Sequence, residues 1–131
     1  MLNQTGIKKE TLVNTHQILF NVQNQMSVGI KLAKNSNAAQ TVGTRKIVKA
    51  GTPLNGDLKA RGTAFVKAVD STNPAVGVLL HDVDVTDADA NGTLLIWGFV
   101  NMDRLESDIS ALITAERETE LAGRVFFLED N

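Results

Sequence analysis

The stretch at 75–105, AVGVLLHDVDVTDADANGTLLIWGFVNMDRL, constrains the fold more than any other: two apolar runs flank an acidic, turn-forming bridge. Runs this short, bounded by Asp, Asn and Gly, read as strands, and the bridge reads as the turn or loop that joins them. The stretch ends on a helix-start signal. Asp103 can cap a helix, with Glu106 three residues on reaching back to the free amides.

The rest of the chain continues in short strands. Ile18, Phe20 and Val22 alternate with Leu19, Asn21 and Gln23, and Val28, Ile30 and Leu32 alternate with Gly29 and Lys31, as half-buried strands do. The polar NSNAAQTVG at 35–43 reads as a loop. A short strand is expected at 45–50, stopped by Gly51-Thr52-Pro53, where proline lacks a ladder donor. Asn55-Gly56-Asp57 is a second turn, 63–69 another strand, and Asn73-Pro74 leads into the apolar run at 76–80. Leu105, Ile109, Leu112 and Ile113 form one apolar stripe, which predicts a single helix ended by Gly123. The row Val125, Phe126, Phe127, Leu128 reads as a final strand, packed on both sides or beneath that helix. The expected fold is mainly β: one compact sheet-rich domain over 11–131 with one C-terminal helix, preceded by a flexible polar arm at 1–10. Parallel α/β topology is disfavoured because helices do not alternate with strands.

A chain of 131 residues buries about two thirds of the surface its unfolded form exposes, enough for one core. It has no cysteine, so neither disulfides nor thiolate metal sites are available. No basic-then-apolar leader opens the sequence, and no apolar run approaches the roughly 18 residues of a membrane span, so a soluble protein made in a cytoplasm is expected. Charge is divided. The first 67 residues hold ten Lys or Arg against Glu10 and Asp57, whereas the remainder holds three Arg against thirteen acids. Either the basic part of one copy faces the acidic part of the next, or the two halves interleave in one fold and cancel. Nucleic-acid binding is disfavoured, since the basic residues are scattered, have few aromatics among them and form no recognised motif.

No enzyme motif emerges. Asp87, Asp89, Asn91 and Gly92 match the first half of a calcium loop and Leu94 suits its apolar position, but Gly98 stands where a bidentate Glu is required. The alternative is an Asp/Asn turn whose side chains satisfy their own amides. Asp82 and Asp84 would share one strand face beside that turn. His81 and Asp82, as strand neighbours, point apart, and His16 is the only other histidine. The serines lack a glycine-flanked elbow, and Gly51, Gly56 and Gly62 lack phosphate-loop spacing. Trp97, the only tryptophan, is either a core anchor or a subunit-interface hot spot.

The pieces AGTPL, AVGVLL, DVDVTDADANG and LLIWGFVN, with the ending ALITAERETELAGRVFFLED, give the sequence a recognisable outline over its last two thirds. In these it resembles the phage lambda head decoration protein family. The resemblance implies a non-enzymatic virion protein, made in the host cytoplasm, that binds the outer face of the expanded head as a homotrimer at three-fold positions. There it would clamp neighbouring major capsid proteins, with no cofactor, metal, nucleic acid or membrane involved. It further implies an N-terminal arm that orders as an added strand on the capsid protein, placed here on Leu2, Asn3, Gln4, Thr5, Gly6, Ile7 and Lys8. The trimer interface is expected at Trp97, Phe99 and Asn101. Alternatives are another virion component, such as a head fibre base or tail protein, a lipoyl- or biotinyl-type carrier domain around Lys59, and a sheet-rich module of a cell-surface assembly.

Overall fold

The computed structural model describes residues 17–19 and 24–129. The arm at 1–10, His16 and most of the first expected strand lie outside the described residues. In chain order the elements are β1 (Met26–Leu32), β2 (Gln40–Val42), β3 (Arg45–Val48), β4 (Pro53–Asn55), β5 (Val66–Lys67), β6 (Gly77–Leu79), β7 (Val83–Asp84) and β8 (Ala90–Asn101). A 3-10 turn (Met102–Arg104), α1 (Ser107–Ser110), α2 (Ala115–Glu120) and β9 (Val125–Leu128) complete the chain. The fold is mainly β, as the short apolar runs predict.

The larger sheet runs β1-β8-β6-β4-β5, with β9 also on β8; the smaller runs β2-β3-β7. The larger sheet is buried on both faces, and its strand residues divide accordingly. Leu95 and Val78 enter a core with Leu105, Ile109, Ile113 and Leu121. Their chain neighbours Leu94 and Leu79 enter a second core with Leu32, Phe65, Val48 and Val85. Adjacent strand residues point to opposite faces, so an uninterrupted apolar run such as Val78-Leu79 is what a doubly covered strand requires. The C-terminal helical segment covers one face and the small sheet lies on the other.

The large sheet also turns back on itself. Leu32 forms a parallel bridge with Phe65, and Phe65 N–H donates to Lys31 O at 2.9 Å, so β1 meets the chain entering β5. Phe65 is fully buried inside this curl. A side chain on Gly56 would collide with its ring, which accounts for glycine at that turn.

Three local expectations are corrected. The loop at 35–43 ends as strand β2, which pairs with β3 through a turn at Gly43, φ +63°. The strand expected at 63–69 is only two residues long. The single helix is divided into a 3-10 turn, α1 and α2. The cause is local capping: Asn101, not Asp103, caps the first turn by accepting from Asp103 N–H at 2.9 Å. Leu105 is extended and stops it. Thr114 then starts α2 by accepting from Arg117 N–H at 3.4 Å. The apolar stripe survives the division, since Leu105, Ile109 and Ile113 are all buried in one core. Gly123, φ +82°, does end the segment. These turns form a crossover to β9, which pairs parallel with β8, and a parallel neighbour needs a long connection of this kind. Among the described residues no helix is long and apolar enough to cross a membrane.

Candidate interaction surface

The centre of interest lies in the last half of β8. Ser27 faces Leu95 whereas Met26 faces Trp97, so Ile96 is an extra residue in β8, a β-bulge. One extra residue reverses the alternation. Leu95 and Val100 both enter the helix-covered core, although five positions separate them, and Trp97 and Phe99 are thrown to the outside. Gly98 completes the reversal with φ +154°, a conformation that side chains resist.

On the outer face, β9 lies beside β8 in register, with Phe126 next to Phe99 and Leu128 next to Asn101. Phe99 and Phe126 stack with ring centroids 5.2 Å apart. Trp97 meets Phe99 edge-on at 5.8 Å. Trp97 is 40% exposed, Phe126 38%, Leu128 40% and Met26 59%. Aromatic and large aliphatic side chains present roughly 150–250 Å² each, so such exposures leave on the order of 300 Å² of apolar surface in one patch, a size at which functional contacts are found. A groove of about 260 Å³ between α2 and β9, lined by Glu118, Ala122 and Leu128 among others, continues the patch.

Of the three residues expected at a subunit interface, Trp97 and Phe99 stand on this surface together. Asn101 does not join them as a contact residue. It is 1% exposed and caps the following turn. Phe126, Leu128 and Met26 were missed. The alternation within VFFL was available, but which face of β9 is outward depends on its parallel pairing with a distant strand.

The acidic bridge is anchored within the fold. Asp82 accepts from Ala50 N–H at 2.7 Å rather than partnering His81. Asp84 accepts from Arg45 Nε at 2.8 Å and from Thr86 N–H at 2.9 Å. Arg45 Nη2 donates to Asp87 at 3.0 Å, and Asp89 takes Lys34 N–H at 2.8 Å and lies 3.3 Å from Lys31 Nζ. The hydrogen bond from Arg45 holds the Asp84 carboxyl down at about 2. Hydrogen bonding from Lys34 N–H and from Lys31 lowers Asp89 too. The carboxylates are thus each held by partners within the fold, Asp84 and Asp87 by the same Arg45, and among the described residues no three acidic, His or Cys side chains converge as a metal site. Beneath the bridge, a cavity of about 340 Å³ is bounded by Val42, Ile47, Lys49, Asp82, Asp84 and Glu106. Lys49 bridges Glu106 and Asp108 at 3.0 Å each, and hydrogen bonding to these two carboxylates raises its pKa.

The chain matches no protein-family model, and a search of curated proteins returns no significant relative.

Proposed function

We propose that this protein is a non-enzymatic decoration protein of a tailed-phage head, which binds the outer face of the expanded shell as a homotrimer and stabilises it against the pressure of packaged DNA. The observation that carries the reading is the exposed aromatic face of β8 and β9. It lies on the strand formed by LLIWGFVN, the part of the sequence through which the family resemblance runs. A clamp between shell subunits needs a rigid body and an uncharged contact face more than it needs a cleft. Rigid aromatic side chains supply contact area at small entropic cost, and the β8/β9 face is where copies would meet. Contact with the major capsid protein through the 1–10 arm rests on the resemblance.

A protein that binds only the expanded shell stabilises that state by mass action, without chemistry. The test is co-sedimentation with shells of the same phage that lack this protein, in expanded and unexpanded forms. Saturable binding to expanded shells, near one copy per capsid subunit, is expected. Binding to neither form removes the capsid role and leaves the face to another virion component, such as a head fibre base or tail protein.

A further inference from the structure

The curl of the large sheet leaves an open seam. Leu32 and Phe65 join its edges at one bridge, but before that point β1 and the 57–62 turn separate around a groove of about 670 Å³ lined by Gly29, Ile30, Lys31, Arg61, Gly62 and Asn91. In an antiparallel strand the N–H and C=O of one residue point the same way, and alternate residues face alternate sides. Lys31 O accepts from Phe65 N–H and Gly29 O accepts from Arg61 Nη1 at 3.2 Å, so Ser27, Gly29 and Lys31 turn their main chain toward the seam. Among the described residues the N–H groups of Ser27 and Gly29 have no acceptor there. Gly29 and Gly62 both leave open space where a side chain would stand, so another backbone can come close.

We infer that this seam accepts an extended, carboxylate-bearing segment of the shell protein as an added strand on β1. The partner's identity rests on the decoration reading above. Charge selects its chemistry. Arg61 lines the seam and has no carboxylate partner among the described residues, while Lys31, also on the lining, is paired with Asp89, which Lys34 N–H holds as well. An acidic strand would gain main-chain hydrogen bonds to Ser27 and Gly29 and charge-assisted ones to Arg61. The 1–10 segment of a second copy is a poorer match, since it carries Lys8 and Lys9 against Glu10.

The experiment is hydrogen exchange of the full chain, free and bound to expanded shells, read at Ser27 and Gly29. Binding is expected to slow both amides by roughly tenfold or more, as strand addition does. Arg61→Glu should weaken shell binding by roughly tenfold, with Arg61→Lys retaining most of it and the Tm of the free protein unchanged in both. Saturable shell binding with Ser27 and Gly29 exchanging at their free rates overturns the seam proposal while the decoration reading stands. If the wild-type chain binds no shell, both fall. Protection that appears in concentrated protein without shells places a second copy in the seam and likewise overturns the proposal.

Discussion

At the scale of single residues, the polar groups that matter most are those buried where apolar packing alone would be expected. Arg117 is 3% exposed and lies against Glu120, with Nη2 donating at 2.9 Å and Nε 2.9 Å from the other carboxylate oxygen. Glu120 also accepts from Ala75 N–H at 2.7 Å, and Arg124 donates to Val76 O and Glu120 O at 3.0 Å each. These contacts fasten α2 to the chain entering β6. Glu120→Ala strips a buried guanidinium of its counter-charge and should cost about 3–5 kcal/mol, read as a fall in the denaturant midpoint at constant m-value. A loss below about 1 kcal/mol would mean that water reaches Arg117 freely. The exposed pairs behave differently. Asp84 titrates at about 2 in the fold against an ordinary 3.8, chiefly through its hydrogen bond from Arg45. A depressed folded pKa gives stability that is complete above the unfolded value and disappears as pH falls through the folded one. Tm should therefore decline between about pH 4 and pH 2, and Asp84→Asn should make that decline shallower; an identical slope in the variant would remove Asp84 from the acid response.

At the scale of elements, the bulge and Gly98 decide what β8 presents. A Cβ at Gly98 would lie 3.2 Å from both Gln25 Cβ and a Leu95 methyl, in a backbone conformation of φ +154°. Gly98→Ala should cost about 1–3 kcal/mol and shift the emission of Trp97 as the aromatic face rearranges. Unchanged stability and emission would show that β8 tolerates a side chain there. This reversal also marks how far the sequence could be read. Short apolar runs between turn formers disclosed the strands, because Val78-Leu79 and Leu94-Leu95 carry their two-sided burial locally. Trp97 left two readings open, core anchor or interface, because one inserted residue exchanges the faces and LLIWGFVN contains nothing local that places a bulge. The helix was legible as an apolar stripe but not as three pieces, since Asn101 and Thr114 act through caps that compete with an unbroken helix. Phe126 and Leu128 were hidden because their outward direction depends on a partner strand 27 positions away, Phe99 to Phe126 in register.

At the scale of the whole molecule, the divided charge of the sequence is resolved in part within one copy. Arg45 meets Asp84 and Asp87, Lys31 meets Asp89, and Lys49 meets Glu106 and Asp108, each joining the basic first half to the acidic second half. Basic-to-acidic contacts between copies thereby lose part of their force as a basis for the proposed self-association, and the Trp97, Phe99, Phe126 and Leu128 face becomes the stronger one. The two causes respond oppositely to salt. Raising NaCl from about 0.1 M to about 1 M shortens the screening length from about 10 Å to about 3 Å, weakening contacts between exposed charges, while apolar burial is not screened. If the proposed trimer forms through this face, sedimentation equilibrium at the two concentrations should give an association constant that holds or rises with salt. The double variant Phe126→Ser, Leu128→Ser should sediment as a folded monomer at both, since these side chains already face outward and their loss leaves the two cores intact. A trimer that dissociates at high salt but survives the double variant would transfer the interface from the aromatic face to the charged surfaces.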